Sequence, residues 1–331
     1  MYKILIIRFS SIGDIVLTTP VIRCLKTQLK NVEIHYLTKK KFETVIENNP
    51  YINKIYTIDK NTSEVTKALK KEKYTHIIDL HKNLRSMRVK LLLNKKSSSY
   101  KKLNIQKWIT VNFKINQLPN IHIVDRYMDA IGFLGVTNDG KGLDHFIPQK
   151  DIVSLTELPL SHQNGYIAFV IGAKHYTKQL PSEKIVSICE KINQPIVLLG
   201  GKEDYEKGQL IINTLKPPHL TSHISHFVFN GCGKYNLNQS ASLIKQAKKV
   251  ITHDTGLMHI AAAFKKEIIS VWGNTVPEFG MYPYLPGESS KTVEVKNLSC
   301  RPCSKIGYKK CPKKHFKCMM EIDESEFIFT N

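Results

Sequence analysis

The sequence predicts an α/β protein of two domains, each built on a largely parallel sheet. Three observations carry this. Short apolar runs alternate with amphipathic stretches nearly throughout, as strands covered by helices require. The alternation stops at a looser stretch, 137–160, rich in Gly, Asp and Pro, and then resumes, so the chain divides into domains 1–160 and 161–331. A chain of 331 residues, 42% hydrophobic and 23% charged, has apolar material for two cores.

In the first domain, residues 4–7 (Ile-Leu-Ile-Ile) form a buried strand, followed by a turn at 10–14 and a helix to residue 29. Then come a strand at 33–37, a helix at 42–48, a strand at 55–58, a helix at 63–72 and a strand at 76–80. Helices at 83–93 and 124–134 complete the domain, and the Ser/Lys stretch 95–102 reads as a mobile loop. The second domain opens with a strand at 166–171, a helix at 182–192 and a strand at 195–199. Helices at 205–215 and 237–246, a strand at 249–252, a helix at 256–264 and a strand at 267–272 follow. Two such domains make the cleft between them the expected ligand site.

The N-terminal apolar run is only four residues long, too short for a signal-peptide core. No apolar stretch approaches the ~20 residues that span a bilayer, so the expectation is a soluble, cytoplasmic protein. The net charge of +21 is uneven: residues 1–150 hold 27 Lys and Arg against 12 Asp and Glu. Lysine clusters at 39–41, 70–71, 95–96 and 101–102 suit an anionic partner or a simply solvated surface.

Candidate chemistry follows four strands. In Arg8-Phe9-Ser10-Ser11-Ile12-Gly13-Asp14 a strand turns into a helix with one glycine, which disfavours a nicotinamide dinucleotide turn. Asp14 lies in the first helical turn, placed either to complement the helix dipole or to act as a general base. The segment running from Asp254-Thr255-Gly256 to His259 starts a helix of small residues, whose N-terminal amides suit a diphosphate. Asp254 or Thr255 would serve equally as N-cap, and His259 as a core histidine. After the first strand of the second domain, Lys174 and Lys178 can neutralise a departing phosphate, and Glu203 follows the next strand in a polar turn.

Cys300, Cys303, Cys311 and Cys318 have the spacing C-x2-C-x7-C-x6-C, with His315 among them. They suit a structural zinc or a thiol-rich loop packed on the second domain; catalysis on this reading uses no metal. Cys24 and Cys189 fall on apolar helix faces and should be buried, and Cys232, on a glycine-flanked loop, should be accessible.

The order of these motifs resembles the ADP-heptose:lipopolysaccharide heptosyltransferases of glycosyltransferase family 9. The matching segments are Ile6 to Pro20, Asp79-Leu80-His81-Lys82-Asn83-Leu84-Arg85-Ser86, Asp254 to Ala263, Trp272 to Pro277, and the ending from Cys300 to Met319. The resemblance implies a GT-B architecture, two Rossmann-like domains facing across a cleft, with acceptor on the first and nucleotide-sugar on the second. It implies inverting transfer of heptose from ADP-heptose to a Kdo or heptose acceptor of the lipopolysaccharide inner core, with no cofactor beyond the donor substrate. Asp14 is then the base and Lys178 stabilises the diphosphate. Asp254, Thr255 and Gly256 bind diphosphate and heptose, His259 supports them, and Glu203 meets the ribose. Ala173-Lys174-His175 stands where some members have small hydroxyl residues, so Lys174 shares the role of Lys178 and a different nucleotide-sugar stays open. A lipid-anchored glycan acceptor implies peripheral contact with an anionic membrane surface at the inner face of the inner membrane. Nucleic acid is disfavoured, since the basic clusters lack interleaved aromatics and no recognition motif occurs.

Overall fold

In the computed structural model, which describes residues 2–215 and 227–328, the strands form two wholly parallel sheets. The chain divides into two units: Met1–Leu103 with Ile121–Phe146, and Asn104–Asn120 with Ile147–Asn331.

In the first unit, β1 (Tyr2–Ile7), β2 (Val32–Lys39), β3 (Lys54–Ile58), β4 (His76–Asp79) and β5 (Lys96–Ser99) lie in the order β3-β2-β1-β4-β5. Ile4 of β1 pairs with Ile34 on one side and His76 on the other, so the strand order reverses between β1 and β4. Residues 4–7 are wholly buried because helices cover both faces of a central parallel strand. The 95–102 stretch is not a loop: Lys96–Ser99 pairs with β4, and its Ser/Lys composition suits an exposed sheet edge. The helix expected to reach residue 29 is two, Ile12–Val16 and Thr19–Gln28, because Pro20 favours a first turn over an interior one. The helix expected at 42–48 is a 3-10 helix, Lys40–Val45, and that expected at 124–134 is Ile123–Asp129.

In the second unit, β6 (Ile167–Val170), β7 (Ile196–Leu199), β8 (Val228–Asn230), β9 (Lys249–His253), β10 (Glu267–Trp272) and β11 (Lys291–Glu294) lie in the order β11-β10-β9-β6-β7-β8. This is the Rossmann order, with its switch point between β6 and β9. The core includes Ile167, Phe169, Ile251 and Val271, and the C-terminal segment adds Cys318, Met319 and Phe327. The units part at 146 rather than 160, because 147–160 is tied to the second: Val153 N–H donates to Ser242 Oγ (3.0 Å) and Asn236 donates to Asp151 (2.9 Å).

Cys24 and Cys189 are buried. So is Cys232, contrary to expectation: its N–H donates to Asn230 Oδ1 (3.1 Å), and the adjacent Gly231 N–H donates to Leu198 O (3.0 Å), holding the loop against β7. Among the described residues no helix is long and apolar enough to cross a membrane.

Candidate active site

Each sheet gathers chemically capable side chains at its switch point, where parallel strands end and loops diverge. In the first unit, β1 delivers Arg8 and the turn after it delivers Asp14. The Arg8 guanidinium is 7% exposed; it donates to Asp14 Oδ1 (2.6 Å), Tyr127 Oη (2.9 Å) and the carbonyls of Leu80 (2.5 Å) and Ser10 (2.8 Å). Burial opposes its charge, but the Asp14 carboxylate together with Tyr127, Tyr100 and Tyr36 outweighs burial and raises its pKa. The other Asp14 oxygen accepts from the Ser11 N–H (3.0 Å) and hydroxyl (2.7 Å), which fixes the carboxylate's direction.

The end of β4 completes this half. Buried Asp79 accepts from the His81 and Lys82 N–H groups (3.0 and 2.7 Å), shaping the turn that carries them. His81 is pushed down to about 4 by burial and by Arg8 and Lys102, so it is neutral near pH 7. Lys102 reaches the His81 and Lys82 carbonyls (3.3 and 3.2 Å). A carboxylate among Arg8, Lys82 and Lys102 can take a proton from a hydroxyl while the cations hold an anionic substrate.

In the second unit, Lys178 ends a 3-10 turn, Tyr176–Lys178, after β6, and its ammonium pairs with the Asp254 carboxylate just past β9. Thr275, after β10, donates its hydroxyl to the same carboxylate (2.9 Å). Thr255 is the N-cap residue of helix Gly256–Ala263, one of the two N-caps the sequence allowed, with no side-chain cap hydrogen bond. Gly256 is the first helical residue, and His259, 2% exposed, packs one turn in. The arrangement offers one ammonium, one carboxylate and the amides of a helix start, which suits a phosphorylated sugar.

Lys174 and Glu203 are exposed and pair with none of the other candidates. Lys174 and Lys178 both neighbour His175, whose pKa burial and these cations lower. The buried acid of the turn after β7 is Asp204, which accepts from Gly201 N–H (2.9 Å). Behind the Lys178 turn, Lys207 donates to Leu180 O (2.7 Å), and His253 Nε2 accepts from Leu180 N–H (2.9 Å). A cavity of 580 Å³ opens there, lined by Tyr176, Gln179, Lys207 and Phe316 among others.

The cysteine-rich segment braces these loops. Tyr308 N–H donates to Thr177 Oγ1 (2.8 Å), Cys303 N–H to Asn274 O (3.0 Å) and Arg301 to Thr275 O (2.9 Å). Cys318 is buried beside the other three cysteines and pushed up to about 12, mainly by burial. All four thiols are free. Among the described residues, the one group whose possible metal-ligating atoms all lie within 4.8 Å is instead Glu33, His35 and Glu72. Lys3 and Lys54 already neutralise those carboxylates.

The model of glycosyltransferase family 9 (heptosyltransferase) matches residues 62–315. The chain is 25% identical to lipopolysaccharide heptosyltransferase 1 of Campylobacter coli over 298 residues, 82% of this chain and 84% of that protein. It superposes on a family 9 glycosyltransferase from Veillonella parvula with a TM-score of 0.77 at 21% identity, covering 99% of this chain and 95% of the other. On the Escherichia coli ADP-heptose lipopolysaccharide heptosyltransferase II the TM-score is 0.70 at 18% identity, covering 96% and 98%. These superpositions place the fold in the GT-B class of paired Rossmann-like domains.

Proposed function

Because the chain belongs to glycosyltransferase family 9, the heptosyltransferases, we propose that it transfers heptose from ADP-heptose to the inner core of lipopolysaccharide with inversion and without a metal. The observation that carries this is the placement of a fixed carboxylate, Asp14, and a phosphate-suited cluster, Lys178 with Asp254, each at the switch point of its own sheet.

In this reading Asp14 takes the acceptor hydroxyl's proton as the oxygen attacks the anomeric carbon, and a single displacement inverts it. Arg8 and Ser11 keep the carboxylate aimed, and Lys82 and Lys102 draw in an anionic inner-core sugar. The bond to ADP breaks with charge building on the diphosphate. Lys178, Lys174 and the amides of the helix after Thr255 oppose that charge where it grows. Asp254 orients the heptose, Thr275 and His259 support the donor cluster, and Glu203 takes the ribose. The acceptor is lipid-anchored, so the protein works at the cytoplasmic face of the membrane that holds it.

The test is ADP release with ADP-heptose and truncated core acceptors. ADP should appear only when donor and acceptor are both present, should be insensitive to chelator, and should accompany a product of inverted anomeric configuration. Silence with ADP-heptose, together with a larger melting-temperature rise from another nucleotide-sugar, would replace the donor.

A further inference from the structure

Helix Asn104–Phe113 is built the wrong way round for a globular protein. Of its ten residues only Thr110 is buried. The side resting on the second unit is polar or charged: Lys107 lies over the Phe279 ring, and Lys114, just past the helix, donates to the carbonyls of Cys300 (3.3 Å) and Pro302 (2.7 Å). The large side chains of the outward side, which also carries Asn104 and Asn112, are apolar. Ile105, Trp108 and Phe113 stand 72%, 51% and 59% exposed at the i, i+3, i+8 spacing of one helical stripe, and Ile115 follows at 55%. Trp108 and Phe113 meet edge to face, 5.4 Å between centroids, so the aromatic pair is preassembled.

A second segment of the same unit adjoins it. Lys305 donates to Asn104 O (2.9 Å), and each residue is followed by an exposed isoleucine, Ile105 and Ile306. From Val295 to Met320 the chain has eight Lys and Arg and no Asp or Glu, and Lys305, Lys309, Lys310, Lys313 and Lys314 are exposed. From Leu80 to Val124 it has ten Lys and Arg, again with no acid. A protein with 28 acidic residues thus keeps every one out of these two stretches.

We propose that this surface, the outer stripe of helix 104–113 with the lysine-rich segment 305–314, docks on an anionic lipid bilayer. Exposed aromatic and aliphatic side chains ringed by lysines match the two layers of such a membrane: apolar groups enter the acyl boundary while ammonium groups stay at the phosphates. A solvated basic face would account for the lysines but not for the exposed Trp108 and Phe113. The proposal gives a location to the peripheral contact that a lipid-anchored acceptor requires, and rests on that reading for its purpose alone. It assigns the docking surface to the second unit, although residues 1–150 carry the larger charge excess.

The full-length protein is mixed with vesicles of phosphatidylglycerol and phosphatidylethanolamine carrying brominated acyl chains, without donor or acceptor. The two tryptophans separate cleanly, since Trp272 is 1% exposed and Trp108 is open. Fluorescence should be quenched by anionic vesicles, not by phosphatidylcholine vesicles, and quenching should fade with added salt. Trp108→Ser with Phe113→Ser should cut co-sedimentation with anionic vesicles at least tenfold while leaving ADP binding intact, and Lys309→Glu with Lys310→Glu should weaken it independently. Quenching absent on anionic lipid, or co-sedimentation untouched by the double serine variant, overturns the proposal. So does a dimer, or an RNA complex, that those serines abolish in place of lipid binding. Transfer activity is read separately, so a wrong donor or acceptor assignment leaves the vesicle result standing.

Discussion

Lys178 and Thr275 direct their donors at the same oxygen of Asp254, Oδ2, so three loops, after β6, β9 and β10, converge on one carboxylate. On the proposed function, an incoming diphosphate competes with Asp254 for the Lys178 ammonium. Asp254→Asn should leave ADP binding as tight or tighter, because the rival charge is gone, while transfer falls. Lys178→Met should weaken ADP binding and lower kcat about 10²–10³-fold, the range for losing one group that stabilises developing charge. Calorimetry with ADP beside the ADP-release assay separates the two. Equal loss of ADP affinity in both variants would mean that Asp254 helps to hold the diphosphate rather than competing for Lys178.

Asp14 is tested through its proton. Asp14→Asn keeps the size of the side chain and its contact with Ser11, yet cannot accept a proton, so transfer should fall about 10²–10⁴-fold with ADP affinity unchanged. Arg8→Lys should also lower transfer, since an ammonium cannot reproduce the guanidinium fork that serves Asp14, Tyr127 and Leu80 O together. An Asp14→Asn protein that loses ADP binding along with transfer would remove Asp14 from the base role.

Arg301 links the cysteine-rich segment to the Thr275 loop. It is 6% exposed at its side chain, pairs with Glu294 (2.7 Å) and donates to the carbonyls of Val295 (2.7 Å) and Thr275 (2.9 Å). Arg301→Met strands the Glu294 carboxylate, a loss of about 3–5 kcal/mol for a buried pair broken on one side. Adding Glu294→Gln should recover part of it. Urea unfolding of the single and double variants measures this, and a raised donor KM in the double variant would report the freed Thr275 loop.

What the sequence made legible were features repeated locally. Ile4–Ile7, Ile167–Val170 and Ile196–Leu199 are continuous apolar runs, and Asp14 and Lys178 lie past the first two and Asp254 past the strand Lys249–His253, where parallel sheets place ligands. Contacts between distant segments were hidden. Thr275 meets Asp254 across 21 residues, and Arg8 meets Tyr127 across 119, so neither Thr275 nor Arg8 stood out as a site residue. One available signal was the Arg at the end of an otherwise apolar first strand, a cation needing a buried partner. The edge strand Lys96–Ser99 was illegible because pairing, not hydrophobicity, makes it a strand, and Cys232 because side-chain and backbone bonds bury a loop whose composition reads as exposed.

The buried pair behind the Lys178 turn sets the pH response of stability. Burial pushes Lys207 down from 10.5 to about 8, so between those values the unfolded chain carries a proton that the folded one has released. Stability should therefore rise with pH across that window, by about 3 kcal/mol at 1.36 kcal/mol per unit. His253 is pushed down from 6.5 to about 3, chiefly by burial and then by Lys207. The unfolded chain gains this proton first as pH falls, so stability should drop below 6.5 and continue dropping towards 3. Lys207→Met should flatten the alkaline rise and keep the acid loss, in which other groups also share. Urea midpoints of wild type and variant across both windows decide the matter: parallel curves between pH 8 and 10.5 would show that Lys207 titrates as an ordinary solvated lysine.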